Sequence, residues 1–334
     1  MTSSLLPPLS VLDLCPIVEG GTAQRALNNS LDLARHVEAL GYQRYWMAEH
    51  HNMDGVASSA TSVLIGYVAG GTKTIRVGSG GVMLPNHAPL VIAEQFGTLE
   101  TLYPGRIDLG LGRAPGTDRM TMRALRRHLN TNEEDGFVND VVELYEYFRP
   151  PADAPRPVRA IPGIGCDVPM WLLGSSLYSA QVAAMMGLPF AFASHFAPAL
   201  LMDALEVYRK TFRANGQPRA LTKPYAMVGA NVCAAETDAE AAVLFTTIQQ
   251  RFLGMQRDRR GPLPSPVETM DSLWNQSEKL AVERLLQISA VGSAARAQAR
   301  LQEIAQATQA DELILASAIF DHEARKRSYA LVAR

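Results

Sequence analysis

The 334-residue sequence predicts an α/β protein folded as a single (β/α)8 barrel, also called a TIM barrel. Eight short apolar segments with the composition of buried strands alternate with segments of helical periodicity along the chain. No change in composition divides the chain, and a barrel of this type usually has about 250 residues, or more with insertions. A doubly wound parallel sheet has the same local pattern, but the count of eight strands favours the barrel.

The predicted strands are apolar and aromatic runs that stop at proline, glycine or polar residues. In chain order they are Leu9–Cys15, Tyr42–His51, Ile75–Leu84, Arg106–Gly112, Trp171–Gly174, Pro189–Ala193, Tyr225–Ala234 and Glu312–Ala316. The second run is the most informative, because a segment with the composition of a doubly shielded strand ends in Glu49-His50-His51. Two imidazoles and a carboxylate thus lie where this strand opens into a loop.

Between the strands, apolar residues recur at the spacing that lines one face of a helix. The segment after the first strand shows this at Ala26, Leu27, Leu31, Ala34, Val37 and Leu40, and Gly41 ends the helix. Further helices are predicted over Ser58–Val68, Pro89–Leu102, Glu134–Phe148, Ser176–Met186, Ala199–Ala214, Asp238–Phe252, Ala294–Ala307 and Asp321–Val332.

Two irregular segments hold most of the length beyond a minimal barrel. Pro150–Pro169 is rich in proline and glycine and is predicted to be an irregular connection. Leu253–Leu286 contains three closely spaced prolines and the arginines Arg257, Arg259 and Arg260. Because a long irregular segment in a compact domain is usually functional or disordered, we expect residues 253–286 to form a mobile lid over the active site.

Composition and charge restrict the class of protein. The formal net charge is −2 and lysines and arginines form no blocks, which argues against nucleic acid as the main partner. The three cysteines lie far apart, and the first residues lack the basic and apolar regions of a signal peptide. No apolar stretch approaches the roughly 18–20 residues that cross a bilayer. We therefore expect a cytoplasmic protein with reduced thiols that binds neither nucleic acid nor membrane.

His50 and His51 end the second strand, and chemistry in this fold is done at the carboxyl ends of the strands. Side chains alternate along a strand, so one of these histidines should face the cavity. A pair of ordinary, partly exposed histidines at the start of a loop is the alternative interpretation. Together with Glu49 they resemble a metal site, but we do not expect neighbouring strand residues to converge on one ion and predict no metal.

Three further segments lie at the carboxyl ends of predicted strands. Gly80-Gly81 marks a bulge or the close approach of a flat ligand, with tight helix packing as the alternative. Arg113 follows a glycine-rich strand and is placed to meet an anion, unless it forms only a surface salt bridge. Ser175, Ser176 and Ser179 open a helix whose free N–H groups suit a phosphate, although ordinary serine capping accounts for the same pattern.

Taken together, these segments resemble the bacterial luciferase-like monooxygenase family over nearly the whole chain. The resemblance is carried by Leu9–Leu14, Arg44–His51, Gly80–His87, Arg106–Arg113 and Ala310–Leu313 with Asp321–Arg325. It implies a (β/α)8 barrel with an insertion late in the chain. Family members use reduced FMN, supplied by a separate flavin reductase as a dissociable substrate, and molecular oxygen to oxidise a small molecule.

The resemblance also implies roles for individual residues. His50 matches the active-site histidine beside the flavin ring, and Gly80-Gly81 falls where the family has a bulge with a cis peptide bond under the flavin. The phosphate of FMN is assigned to Arg113, Ser175, Ser176, Leu177 and Ser179. Many members are dimers, and we expect a homodimer here through the apolar helices Ser58–Val68 and Pro89–Leu102.

The sequence departs from true luciferases where Gly112 replaces a reactive cysteine and Ser194 an aromatic residue. We therefore do not expect light emission, and predict an FMN-dependent monooxygenase acting on an unidentified aldehyde- or ketone-like substrate. The alternatives are a deazaflavin-dependent reductase or dehydrogenase, a non-catalytic flavin-binding protein and a metal-dependent hydrolase. Arg257, Arg259 and Arg260 keep the deazaflavin alternative open, because that coenzyme has a long acidic tail.

Overall fold

The computed structural model describes residues 6–114, 118–125, 136–150, 157–214 and 221–333. Across these ranges the chain forms one parallel sheet with flanking helices. The strands are β1 (Leu9–Asp13), β2 (Arg44–Met47), β3 (Arg76–Met83), β4 (Ile107–Gly112), β5 (Met170–Gly174), β6 (Phe190–Phe192), β7 (Ala226–Ala235), β8 (Ser289–Ser293) and β9 (Glu312–Ala316). The helices are α1 (Ala23–Ala39), α2 (Thr61–Gly71), α3 (Pro89–Leu102), α4 (Arg119–Leu125), α5 (Gly136–Phe148), α6 (Leu177–Met186), α7 (Leu201–Thr211), α8 (Asp238–Gln256), α9 (Gln276–Leu285), α10 (Ala294–Thr308) and α11 (His322–Val332).

Eight of these strands close into a barrel, which confirms the predicted single-domain (β/α)8 fold. Their order around the barrel is β1-β2-β3-β4-β5-β6-β7-β9, and β9 pairs with β1 through the register Leu9 to Leu313. All of these pairings are parallel, so every strand ends at the same mouth of the barrel.

The strand β8 was not predicted, and it lies outside the closed barrel. β7 is long enough to pair with β9 along Met227–Asn231 and with β8 along Asn231–Ala235. In β8 only Ala290 and Gly292 are buried, so the segment lacks the apolar run by which a strand is detected. The short helices α4 and α9 were not predicted either, and the predicted start of α5 at Glu134 lies outside the described residues.

Two elements near the mouth begin or end differently from the prediction. β2 ends at Met47 and does not reach His51, because the N–H of His50 bonds to the carbonyl of Ser58 at 3.0 Å. Since Ser58 also donates its hydroxyl to the carbonyl of Ala48, it belongs to this loop, and α2 begins only at Thr61.

Side chains fill the barrel interior and close its amino end. An interior cluster includes Leu12, Trp46 and Trp171. Below it the Arg44 guanidinium bonds to Asp108 at 2.8 Å and Glu312 at 3.0 Å and stacks 4.8 Å from the Trp171 ring centroid. A ligand therefore enters from the carboxyl ends of the strands, as is usual for this fold.

The segment Leu253–Leu286 contains α9 and packs against the end of α8. Phe252, Leu253 and Met270 are buried in one small apolar cluster with residues of α9. Farther along, Leu263 forms an isolated parallel bridge with Val18, next to β1. Its function as a lid stays a prediction. No helix in the described ranges is long and apolar enough to cross a bilayer.

Candidate active site

Two histidines face each other across the barrel mouth. His50 follows β2 and His195 follows β6, and these strands are four positions apart in the closed order of eight. His50 lies close enough to His195 for its charge to affect the pKa of the His195 ring. His51, in contrast, places its Nε2 atom 2.9 Å from the carboxylate of Glu49. The two neighbouring histidines therefore have different surroundings, as side-chain alternation predicted.

His195 is held in a neutral, enclosed position. Its backbone carbonyl accepts a hydrogen bond from Asn231 at 2.7 Å, and its ring lies against Gly229, where an added Cβ would come within 2.7 Å of Nδ1. Among the described residues this buried Nδ1 atom has no hydrogen-bond partner. Burial, with a smaller contribution from the charge of His50, lowers the pKa of His195 to about 4, so the ring carries no charge near pH 7.

Glu49 is the centre of a polar clamp beside His50. Its buried carboxylate lies 2.9 Å from Nε2 of His51 and 2.8 Å from Nε2 of His87, and it accepts the N–H of Met83 at 3.2 Å. Burial acts to raise the pKa of Glu49, but the hydrogen bonds outweigh it and the pKa lies below its usual value. The clamp ties the end of β2 to the turn that follows β3.

Neighbouring residues of the Glu49–His51 motif were not expected to converge on one point, but Glu49 and His51 do so, together with His87. Ligand atoms of Glu49, His51 and His87 all lie within 4.8 Å of one another, because Glu49 and His51 are two residues apart and His87 reaches them from the next strand's turn. The carboxylate–imidazole distances are nevertheless those of hydrogen bonds. Two ligands of one zinc ion stand about 3.4 Å apart in tetrahedral geometry, so the group as folded is a hydrogen-bonded clamp.

The next strand, β3, contains a bulge at its carboxyl end. Its register with β4 shifts between Ser79 and Val82, and the Gly80–Gly81 peptide bond is cis. Both glycines are packed tightly: an added Cβ on Gly80 would lie 2.7 Å from Leu12, and one on Gly81 would lie 2.7 Å from the Gly110 carbonyl oxygen. The bulge therefore presents bare backbone at the mouth, where larger side chains do not fit.

Arg113 and the start of α6 lie together on the neighbouring strands β4 and β5. The Arg113 guanidinium carbon is 4.2 Å from the ring centroid of Tyr178, in the first turn of α6. Ser176 caps this helix by accepting the N–H of Ser179, and their hydroxyl oxygens are 3.3 Å apart. Gly174 must be glycine, because a Cβ there would lie 2.1 Å from the Ser179 hydroxyl. Both interpretations of these serines, as a helix cap and as an anion site, are compatible with this geometry.

These parts fit the phosphate of a flavin mononucleotide. Among the described residues Arg113 has no ion-pair partner and stacks only on Tyr178. The helix start offers N–H groups at Ser175 and Leu177, and the positive end of the α6 dipole. A guanidinium, free amides and hydroxyls are the donors that bind a phosphate dianion.

Sequence reasoning singled out some of the functional groups and missed others. It assigned no role to His195 or His87, because each lies far along the chain from His50 and Glu49 and only the fold brings them together. Arg251 was also missed, although it lines a cavity of about 350 Å³ beside β1 and β2. No local pattern marked it, because Arg251 follows Gln249 and Gln250 in a turn of mixed polarity.

Comparison with known proteins gives an independent result. The family model described as luciferase-like monooxygenase matches residues 10–312. A protein of Escherichia coli (strain K12) named luciferase-like monooxygenase is 56% identical over 323 residues, covering 96% of this chain and 95% of that protein. An N-acetyl-S-alkylcysteine monooxygenase of Bacillus subtilis (strain 168) is 42% identical over 188 residues, covering 55% of this chain and 56% of that protein.

Solved structures with the same fold contain different coenzymes. Apo-MsnO8 is 37% identical and superposes with a TM-score of 0.90 over 98% of this chain and 97% of its own. The oxygenating constituent of 3,6-diketocamphane monooxygenase from Pseudomonas putida, solved with FMN, is 17% identical with a TM-score of 0.74 over 99% and 97% of the two chains. An F420-dependent secondary alcohol dehydrogenase is 14% identical with a TM-score of 0.70 over 99% and 100%. The last two comparisons concern the fold alone, whereas the family match and the 56% identical relative show that this chain belongs to the luciferase-like monooxygenase family.

Proposed function

We propose that the protein is an FMN-dependent monooxygenase, which takes reduced FMN from a separate flavin reductase and uses molecular oxygen to oxidise a small organic substrate. One observation carries the proposal. Four neighbouring strands supply, in order, His50 after β2, the bulge Gly80-Gly81 in β3, Arg113 after β4 and Ser176 after β5. This order suits an elongated ligand with its ring system near β2 and β3 and its phosphate near β4 and β5.

In this proposal each group has a defined task. Arg113, Ser176 and Ser179 hold the phosphate, and the bare backbone at Gly80-Gly81 lets a flat ring approach the barrel. Reduced FMN, when bound, supplies the electrons for oxygen activation. His50 accepts or returns a proton at its imidazole, the side chain whose ordinary pKa lies nearest neutrality. The clamp on Glu49 positions the chain on either side of His50.

The deazaflavin-dependent alternative has weaker support. Of the three lid arginines that favoured it, Arg257 is already engaged, with two bonds of 2.8 Å to the carboxylate of Glu278. Arg259 and Arg260 are exposed. Anaerobic titration of the purified protein with reduced FMN and with reduced deazaflavin coenzyme tests the choice. We expect micromolar binding of reduced FMN, and binding of the deazaflavin alone would contradict the proposal.

A separate titration with oxidised flavins tests the phosphate site through one substitution. Arg113→Ala should weaken FMN binding by about 1.5–3 kcal/mol, because it removes a charged hydrogen bond to the phosphate. Fluorescence titration with oxidised FMN and riboflavin measures both affinities. Riboflavin has no phosphate, so its affinity should change much less, and equal losses for the two ligands would show that Arg113 does not bind the phosphate.

We also propose a homodimer formed through α2 and α3. Val63 and Leu102 are 69% and 63% exposed, and Tyr67 and Val91 on the same helices are more than 40% exposed. Exposed apolar side chains grouped on neighbouring helices are typical of subunit interfaces. Light scattering at micromolar concentration should give twice the chain mass of 36.3 kDa. The mass of one chain under these conditions would contradict the dimer.

A further inference from the structure

The cavity beside β1 and β2 is built from three chain segments. They are Glu19 after β1, Met53–Val56 after β2, and the end of α8 with residues 259–264. The second and third segments meet backbone to backbone, since a Cβ on Gly55 would lie 2.2 Å from the carbonyl oxygen of Gly261. The cavity holds about 350 Å³, within the range of small-molecule sites.

Arg251 brings a positive charge to this cavity. It lies in the last turns of α8 and is partly buried, and this burial lowers its pKa. Within the described ranges no carboxylate or carbonyl group accepts a hydrogen bond from its guanidinium. The two acidic residues of the lining, Glu19 and Asp54, are exposed to solvent and form no ion pair with it.

Other enclosed arginines of this protein have partners. Arg325 bonds to Asp13 at 2.8 Å, and Arg44 bonds to two carboxylates. Arg106 donates to the carbonyls of Ile75, Ala69 and Thr72. A guanidinium that is partly withdrawn from water and lacks such a partner loses part of its hydration without compensation. Arg251 therefore has the character of a binding group whose partner is an anionic ligand.

The anion is not the phosphate of the flavin. The cavity adjoins β1 and β2, whereas the phosphate site follows β4 and β5, and β5 is diametrically opposite β1 in the closed order of eight strands. The acidic tail of a deazaflavin continues beyond its phosphate and therefore starts from that far side as well. An anion beside Arg251 belongs to a second molecule.

We propose that this cavity is the substrate pocket and that it takes a small organic carboxylate, whose charged end pairs with Arg251. The apolar side chains of Met53, Val56 and Met255 line the same cavity and suit the hydrocarbon part of the ligand. The loop of Met53 and Val56 begins three residues after His50, so the pocket adjoins the proposed reaction centre. The claim that the bound carboxylate is oxidised in this pocket depends on the proposed function. The claim that the carboxylate binds there does not.

Calorimetry on the flavin-free protein tests the binding. The probes are the straight-chain carboxylates from butanoate to decanoate and the amide of each. We expect saturable binding of at least one carboxylate at millimolar concentration, with its amide bound at least about tenfold more weakly. Arg251→Gln should reduce the carboxylate affinity by about 10- to 100-fold and leave the amide unchanged. Arg257→Gln, also near the end of α8 but bonded to Glu278, should not change either affinity.

A second readout separates a binding role from a structural one. Removal of an unpartnered enclosed charge should raise the melting temperature of the ligand-free protein by about 1–3 °C in Arg251→Gln. A lower melting temperature would give Arg251 a structural role and overturn the proposal. Arg251→Lys keeps the charge and should keep the preference for carboxylate over amide.

Three binding results would also overturn it: no saturable binding of any carboxylate, equal carboxylate affinity in the wild type and Arg251→Gln, or tighter binding of inorganic phosphate than of every carboxylate. Because neither flavin nor oxygen is present, these results are independent of the cofactor titration. The proposal of a carboxylate pocket and the proposal of a monooxygenase function can thus be contradicted independently of each other.

Discussion

Replacing His50 by alanine is expected to slow substrate oxidation by about 10²–10⁴-fold, the usual contribution of a general acid–base group. FMN affinity should stay within a few-fold of the wild type, since the proposed phosphate site lies on other strands, β4 and β5. His50 lies at the mouth, near the neutral ring of His195, and unlike His51 and His87 it is not part of the clamp on Glu49. The measurement is product formation against hydrogen peroxide release, with reduced FMN supplied in excess.

His51→Ala is the matched control for this prediction. His51 contacts the Glu49 carboxylate, so its loss should lower stability, by about 1.5–3 kcal/mol for a hydrogen bond to a charged group. It should leave the oxidation rate within a few-fold. If His51→Ala slows the reaction and His50→Ala does not, the catalytic assignment belongs to the other histidine.

Asp13→Ala should lower the free energy of unfolding by about 3–5 kcal/mol, because it leaves a buried arginine charge without its partner. Asp13 is fully buried and bonds to Arg325 at 2.8 Å, and it also accepts hydrogen bonds from Ser30 and Tyr45. Burial acts to raise the pKa of Asp13, but the Arg325 charge and these hydrogen bonds lower it overall. Urea denaturation measures the change in stability.

Asp32→Ala provides a surface comparison, because Asp32 also pairs with residues of α11. Asp32 on α1 bonds to Lys326 and His322 on α11, and its side chain is 51% exposed. Exposed ion pairs contribute about 0–1 kcal/mol, so this variant should unfold almost like the wild type. If Asp13→Ala and Asp32→Ala lower the free energy of unfolding by similar amounts, burial is not what makes the Asp13–Arg325 pair stabilising.

The barrel was predictable because most positions of its eight strands are buried and apolar or glycine residues dominate them. β8 differs, since Ser289, Val291 and Ser293 are only partly buried and two positions remain buried. The end of β2 was placed too late, because alternation of side chains continues through Ala48 and His50 after their backbone has turned to bond the loop at Ser58. Such a change of hydrogen-bond partner leaves no trace in local composition.

The candidate site was predictable where one strand end holds a whole motif. His50, Gly80-Gly81 and Arg113 each lie at the carboxyl end of a recognisable strand. Because these ends meet at one mouth of a parallel barrel, the three could be placed near one another from the sequence. His195 and His87 depend instead on contacts between distant loops, which no local pattern encodes. The approach of His87 to Glu49 and His51 was not anticipated for the same reason, because His87 comes from a turn.

The pairing of β7 with β8 bears on how this enzyme can diversify. The connection between these two strands contains α8, the proline-rich segment and α9, yet both of its ends are fixed in adjacent, hydrogen-bonded strands. Its length and sequence can therefore be exchanged without shifting the barrel, because closing a longer loop between fixed ends adds little entropy cost. This connection also supplies Arg251 and much of the wall of the proposed substrate pocket, so grafting it from relatives is expected to change substrate preference without altering the proposed flavin site on β2 to β5.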